Sequence, residues 1–572
     1  MKKLIFTIFV LVFIEVNVTA MDSYNSANNQ LSIPSVLVGK TSYSNVVVSV
    51  GKVISILGGD PTNSFDTFDS VNNQLAIPVV KVGDVIYKNV VITVDKVLKM
   101  DGVAPQAPLN SYFASVPYTL PDSGQYYSKL CNTPKVTYPE TSLVTALDLN
   151  NDGINDLVVH FWCYQVLGSS YSGVTPNALV AYLGNKDGSY TISNQQIFGY
   201  DKVDLGGASR KVVVADFNGD GYPDLGYAIN HEDGRATVNN GTNFVEQATV
   251  VLSAGYGTYK IEKIGTPDWL HAVDAVDNEL GGKDFVFQGL VPNIGLQAYR
   301  YSNGSWTNVK SKYPTNLSGL TFRFFPKTGN SKISTKVMHQ GTNLPLPWSQ
   351  TRISSIIQKD STWQNTQAYD LGGVIVPYIG WNKTVTTQTM TKIDGVNYVG
   401  AYFDESCVIK ITPTNEPVYI AKFSASYVPS TWDGISPIVQ DDSLINYQKL
   451  IFYNSDPLTL EPMINPILNE ENAFNGFFFD CKDINNDGYQ DIVMHTFRKS
   501  GLPVIYLNQK NNVFKKFETL NFPIPDQSAY ENSSIIEDMD GDGIVDLILY
   551  NRENTVDGKI NFNIYKGKKV LN

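Results

Sequence analysis

Charge is scarce in this chain. Only 17% of its 572 residues are Asp, Glu, Lys or Arg, against about 25% in a typical soluble domain, which speaks against long charged helices and coiled coils. Basic residues are the scarcer sign, 43 against 55 acidic ones, for a formal net charge of −12. Nucleic-acid binding rests on neutralising phosphates, and the chain has no basic stripe to do so. Cysteine is limited to Cys131, Cys163, Cys407 and Cys481, at spacings that fit no zinc pattern. After the first twenty residues no run of about 20 apolar residues occurs, so no helical membrane span is expected. The five histidines form no His-Glu-x-x-His pair, and no Gly-x-Ser-x-Gly elbow is present, which removes two common hydrolytic designs. What is abundant is apolar and aromatic: 42% hydrophobic, with 33 Tyr and 27 Phe. That composition supports a packed core and favours strands.

The first twenty residues read as a secretory signal. Lys2 and Lys3 precede an apolar run from Leu4 to Ile14, and Val18-Thr19-Ala20 supplies the small residues of a cleavage site. Cleavage after Ala20 takes the formal charge from −12 to −13, because Lys2, Lys3 and Glu15 leave. The expected address is extracellular, cell-surface or periplasmic. Export permits disulfides among the four cysteines, and the sequence leaves all three pairings open.

Residues 28–56 and 72–100 repeat at an offset of 44. Leu31, Ile33 and Pro34 return as Leu75, Ile77 and Pro78, and Tyr43, Asn45, Val46 and Val47 return as Tyr87, Asn89, Val90 and Val91. Both copies alternate apolar and polar residues, so they predict short strands. Each proline belongs at a strand edge or start, since it cannot donate to a ladder. One copy is too small to bury a face alone, so residues 21–103 are expected to form one small β module from both. Residues 104–123, with Pro105, Pro108, Pro117 and Pro121, read as a linker. The remainder, 124–572, reads as the main domain.

Four nine-residue loops carry the chemistry of that domain: DLNNDGIND (148–156), DFNGDGYPD (216–224), DINNDGYQD (483–491) and DMDGDGIVD (538–546). Oxygen side chains stand at loop positions 1, 3, 5 and 9, position 7 offers a carbonyl, and Gly at position 6 permits a sharp turn. Six to eight oxygens suit Ca²⁺ better than Mg²⁺, and soft metals lack their ligands here. Position 12, where an EF-hand requires Glu, is Val159, Tyr227, Met494 or Leu549, and the flanks read as strands.

On these four loops the chain from about 140 to 572 resembles the FG-GAP and VCBS-type repeats of β-propellers, as in integrin α-subunit heads and many bacterial secreted proteins. The resemblance implies an all-β fold: a propeller of about seven blades with calcium hairpin loops, preceded by the small tandem-repeat module. It implies about four Ca²⁺ sites. By position these are Asp148, Asn150, Asp152, Ile154 and Asp156; Asp216, Asn218, Asp220, Tyr222 and Asp224; Asp483, Asn485, Asp487, Tyr489 and Asp491; and Asp538, Asp540, Asp542, Ile544 and Asp546. The central blades would start near Asp274–Asp284, Lys332 and Asp394, where most of the oxygens are missing. After the last loop only two strands are recognisable, so residues 126–136 are expected to supply the strand that completes the last blade.

The loops read first as ions stiffening hairpins. His160, His495 and Tyr550 stand at equal places, four residues past the last Asp of their loops, and read as strand residues that share a face. Trp348, Trp363 and Trp381 are candidates for a sugar-binding face, with core packing as their plainer role, and 335–375 is the expected site of a loop insertion. No catalytic residue is assigned. The leading expectation is a secreted, non-catalytic adhesion or ligand-binding protein for protein or glycan. The alternative is an extracellular polysaccharide lyase or hydrolase, and a third reading is a structural surface component.

Overall fold

The computed structural model describes residues 22–568 except for connecting segments, the longest being 102–111, 128–139, 163–176, 232–244, 326–335, 342–351, 410–417, 454–467, 472–478, 518–531 and 552–559. The described chain is all-β and divides into two units, Met1–Ala107 and Pro108–Asn572. Among the described residues no helix is long and apolar enough to cross a membrane.

The first unit has strands β1 (Asp22–Asn25), β2 (Gln30–Val38), β3 (Thr41–Ile56), β4 (Asp66–Asp69), β5 (Gln74–Val82) and β6 (Val85–Asp101). They form one sheet in the order β1-β2-β3-β6-β5-β4. The sheet closes because β1 also runs parallel to β5, and β4 parallel to β2. The two 44-residue repeats thus cross: each short strand pairs with its own repeat and with the other. Leu31, Ile33, Val46 and Val48 meet their counterparts Leu75, Ile77, Val90 and Ile92 in one core, so neither copy buries its face alone. Pro34 and Pro78 lie mid-strand, but each falls between the residues that pair with β1 and those that pair with β4. The missing N–H therefore sits where its strand is locally an edge.

The second unit opens with β7 (Tyr118–Thr119), followed by seven sheets among the described residues. The first sheet holds β8 (Glu140–Leu147), β9 (Asp156–Trp162), β10 (Asn177–Gly184) and β11 (Tyr190–Ile192). The second holds β12 (Ala208–Ala215), β13 (Asp224–Asn230), β14 (Glu246–Ser253) and β15 (Tyr259–Asp268). The third holds β16 (Leu270–Asp277), β17 (Lys283–Gly289), β18 (Gln297–Ser302) and β19 (Ser305–Asn308). The fourth holds β20 (Phe322–Phe324), β21 (Lys336–Gly341), β22 (Arg352–Lys359) and β23 (Thr362–Asp370). The fifth has seven strands: β24 (Val374–Ile379), β25 (Val385–Ile393), β26 (Val396–Ile409), β27 (Val418–Tyr427), β28 (Ile438–Val439), β29 (Asn446–Tyr453) and β30 (Leu468–Glu471). The sixth holds β31 (Phe479–Lys482), β32 (Asp491–Met494), β33 (Val504–Asn508) and β34 (Phe514–Phe517). The last holds β35 (Asn532–Glu537), β36 (Asp546–Asn551), β37 (Phe562–Tyr565) and β7.

Each sheet packs on the next. Leu179 and Tyr227 join the first core to the second sheet, Ala228 and Phe285 the second to the third, and Val286 and Val337 the third to the fourth. The fourth meets the fifth where Thr321 and Ser406 share a 3.0 Å hydroxyl contact. Ile409 and Ile492 join the fifth to the sixth, and the Cys407–Cys481 disulfide ties the same two sheets. Cys131 and Cys163 lie outside the described residues. Lys482 and Glu537 link the sixth sheet to the last at 2.6 Å. The last then packs on the first through Val159, Phe161, Ile548 and Phe562.

Three expectations are corrected. The strand completing the last sheet is β7, not residues 126–136: Tyr118 pairs with Ile564 and Thr119 with Asn563, while 128–139 lie outside the described residues. Residues 112–120, read from sequence as linker, thus belong to the second unit, where Lys568 N–H and Ala114 N–H also bond across to Tyr112 and Lys566 carbonyls. The described residues of 335–375 supply β21–β23 of the fourth sheet and the start of β24, where a loop insertion was expected, and the enlarged sheet is the fifth; 342–351 lie outside the described residues. Trp363 packs edge-on to Phe324 at 6.1 Å and donates to the Lys312 carbonyl, so it is a packing residue. Trp348 and Trp381 lie outside the described residues, as does the expected start near Lys332.

Candidate metal centres and polar cavity

Each of the four Asp-rich loops joins the first strand of its sheet to the second: β8 to β9, β12 to β13, β31 to β32 and β35 to β36. The four share one hydrogen-bond plan. The position-1 carboxylate accepts from backbone N–H groups across the loop: Asp148 from Asp152 and Gly153, Asp216 from Gly219, Asp220 and Gly221, Asp483 from Asp487 and Gly488, and Asp538 from Gly541 and Gly543. The position-5 carboxylate accepts from the N–H of position 7, namely Ile154, Tyr222, Tyr489 and Ile544. In the first three loops the position-3 amide oxygen of Asn150, Asn218 or Asn485 takes the N–H of position 5.

Two left-handed residues make this wrap possible. One is the expected Gly at position 6, with φ between 81° and 86°. The other is position 4, occupied by Asn151, Gly219, Asn486 and Gly541, with φ of 58°, 75°, 55° and 74°. Only Gly and Asn adopt that region readily. The Asn or Gly at position 4 of all four loops is therefore a second sequence signal of this wrap, beside the oxygen spacing.

The position-9 carboxylates do something more specific than spacing suggested. Asp156, Asp224, Asp491 and Asp546 are buried. One oxygen of each accepts the N–H of position 2 in its own loop: Leu149, Phe217, Ile484 or Met539, at 2.7–2.9 Å. The other accepts an N–H at or near the end of the third strand: Gly184, Ser253, Asn508 or Gly567, at 2.6–2.7 Å. Each therefore latches loop, second strand and third strand together. Burial pushes the carboxyls of Asp156, Asp224 and Asp546 up to about 7 and that of Asp491 to about 8, opposed by these amides and assisted by the loop aspartates.

The residues fit a hard cation. In the fourth loop one oxygen from each of Asp538, Asp540 and Asp542 lies within 4.8 Å of the others. Asp540 Oδ1 is buried there without a hydrogen-bond partner, while Oδ2 takes a 2.8 Å bond from Lys566. Converging carboxylates repel one another, and an orphaned buried oxygen costs free energy unless a donor or cation meets it. The first and fourth loops also touch: Asn155 N–H donates to the Met539 carbonyl at 3.1 Å and its side chain to Asp538 O at 2.6 Å.

The third sheet solves the same problem without such a loop. Asp284 stands at the position-9 place on β17 and is buried. The Arg300 guanidinium bonds both of its oxygens, at 2.7 and 2.8 Å, and both oxygens of Glu279, at 2.8 and 2.9 Å. Tyr313 adds a 2.6 Å bond to Asp284. The guanidinium holds Glu279 far below the usual carboxylate range.

First and second strands of five sheets also line a polar cavity of about 260 Å³, which includes Lys211, Arg323, Asp480, His495, Ser534, Glu537 and Tyr550. His495 Nδ1 meets Ser534 Oγ at 3.1 Å and Nε2 meets Asp480 Oδ2 at 2.9 Å. This Ser–His–Asp chain has its Ser buried and its Asp only half-buried at the cavity wall, the reverse of the exposed nucleophile and buried carboxylate that a serine triad needs. His160 makes the equivalent contact to Ser209 at 2.6 Å between the first two sheets, so the His–Ser pair is a repeated clamp between sheets. Burial opposes ionisation of Asp480, but His495, Lys482 and Arg323 together hold its carboxyl below the usual range.

The FG-GAP-like repeat family matches residues 148–227 and 483–549, the stretches that hold the four loops. A comparison with curated proteins finds no match. Among solved structures, the exotype rhamnogalacturonan lyase YesX aligns over 96% of this chain and 91% of its own, at 11% identity and TM-score 0.39. A Bacillus licheniformis rhamnogalacturonan lyase aligns over 96% and 92%, at 12% identity and TM-score 0.37. A putative 6-phosphogluconolactonase from Bacteroides uniformis covers 68% of this chain and 97% of its own, at 9% identity and TM-score 0.35. The two matched stretches thus carry FG-GAP-like repeats.

Proposed function

We propose that the second unit is a seven-bladed β-propeller stiffened by Ca²⁺ at its four Asp-rich loops, and that the exported protein binds an extracellular protein or glycan without chemistry. The seven successive sheets, the last packed on the first, support the architecture. A ring whose last sheet takes strands from both ends of the unit leaves only short, protected sheet edges, as in a propeller. For the ions, Asp148, Asn150 and Asp152 and their equivalents would supply side-chain oxygens, with the carbonyls of Ile154, Tyr222, Tyr489 and Ile544. The position-9 aspartates would join them while keeping their backbone latches. The ion supplies charge compensation there and no reaction.

The observation that carries the binding reading is the state of the cavity. Both ring nitrogens of His495 are engaged and Lys482 is paired with Glu537, so among the described residues of the cavity no base stands beside an exposed nucleophile. A glycan and protein binding screen of the mature chain, repeated with Lys211→Ala and Asp480→Ala, tests it. Saturable binding weakened by these changes supports the reading; binding indifferent to both contradicts the cavity as the ligand site.

A second reading is favoured by the convergence of Lys211, Arg323, Asp480 and Tyr550 on that cavity: a lyase or hydrolase for an extracellular polysaccharide. Release of reducing or unsaturated ends by the wild-type chain, abolished by Asp480→Asn, would establish it in place of the first.

A further inference from the structure

The first unit holds two buried carboxyl groups that neither the loops nor the cavity use. Asp22 and Asp66 are 44 residues apart, the period of the repeat, so each is the other's counterpart. Asp22 is the first residue of β1 and Asp66 the first of β4. These are the short strands that close the sheet: Asp22 stands opposite Val80 of the other repeat, and Asp66 opposite Val36. The two residues are 6% and 8% exposed, and the registers bring the first residues of β1 and β4 head to head along β2 and β5, across Pro34 and Pro78, which places the two buried carboxyls within reach of each other. Two carboxylates share no proton, so a bond between them requires that one be a carboxylic acid.

We infer that Asp22 and Asp66 form a shared-proton latch that fastens β1 and β4 across the two repeats, and that the first unit loosens as that proton is lost with rising pH. Asp22, the protonated member, donates its O–H to the Asp66 carboxylate. Burial first, and then the charge of Asp66, raise the pKa of Asp22; burial raises that of Asp66, against the bond from Asp22. Among the described residues no side-chain cation enters this balance; cleavage after Ala20 would add the Met21 α-amino group one residue from Asp22, a group that the two Asn variants below leave in place. On the strands packed against the pair, β2 carries no ionisable side chain and Lys81 of β5 is exposed. Tyr24 of β1 bonds Asn29, and Asp69 of β4 bonds Asn72.

The sign follows from linkage. A carboxyl whose pKa is raised by folding contributes stability that is complete below its unfolded value and is lost as pH climbs through the folded one. The folded unit holds up to one extra proton per raised group across that interval, so its opening equilibrium rises by up to about tenfold per pH unit for each. Ordinary surface carboxylates paired with cations give the opposite slope.

Peptide-resolved hydrogen exchange on the mature full-length chain, corrected for the intrinsic pH dependence of exchange, tests the latch. The expected result is that protection of 30–38 and 74–82 falls from pH 5 to pH 8, while peptides of the second unit serve as the internal reference. Asp22→Asn keeps a donor to Asp66 and flattens the profile; Asp66→Asn does so from the other side. A flat wild-type profile overturns the inference, and so does an unchanged slope in either variant.

Discussion

Arg300 grips Asp284 with two parallel hydrogen bonds, at the place where the four loop-bearing sheets carry Asp156, Asp224, Asp491 and Asp546. The same buried carboxylate recurs in a sheet without an Asp-rich loop, and there a guanidinium supplies the positive charge. A planar fork that bonds Asp284 on one side and Glu279 on the other supplies within the chain the positive charge that the proposed ions would supply at the other loops.

Removing that cation should therefore be costly. Arg300→Ala leaves Asp284 buried without a counter-charge, held only by neutral donors such as Tyr313, for an expected loss of about 3–5 kcal/mol. Arg300→Lys should recover little, because an ammonium cannot fork. Denaturant unfolding of the two variants checks this. Metal content should not change in either.

Gly541 presses on the neighbouring loop. A Cβ there would approach the Gly153 carbonyl oxygen within contact distance, and φ is +74°. Gly541→Ala thus combines a clash with left-handed strain and should cost about 2–4 kcal/mol. Gly153→Ala meets nothing within 4 Å and should cost only the strain, about 1–2 kcal/mol. Thermal melts of the pair in saturating calcium separate the two effects.

The Cys407–Cys481 disulfide closes a span of 74 residues between the fifth and sixth sheets. On chain-entropy grounds such a closure contributes about 4 kcal/mol. The paired Cys407→Ala, Cys481→Ala variant should melt lower than the wild type, and its exchange protection should fall first in β26 and β31.

What the sequence made legible was local. Asp148–Asp156 and its three equivalents announce themselves because every residue that wraps the loop lies within nine positions. The tandem repeat was legible for the same reason, down to a shared core of Leu31 with Leu75. Features built from distant segments were not. Asp284 stood out as a degenerate start, but Arg300 is 16 residues away on the next strand, and only the β17–β18 register brings them together. β7 has two residues, too few to show a period, and it lies in a proline-rich stretch that reads as linker. The fourth and fifth sheets lack the Asp signature and left only weak starts. His495 and Tyr550 read as strand residues that share a face, but nothing near them in sequence marked Asp480, Lys211 or Arg323 as their neighbours around one cavity.

The central claim is that four loops hold calcium and that the fold depends on it. The direct measurement is a thermal melt of the mature chain in Ca²⁺ and in excess chelator, with bound-metal analysis of the same sample. The account predicts about four calcium ions per chain and a clear rise in melting temperature, since each site adds about 2.7 kcal/mol at a hundredfold excess over its Kd. Asp540→Ala should remove one ion and part of that rise. A chain that binds no calcium and melts alike in both conditions would contradict the account, leaving the loops as turns held by their own hydrogen bonds.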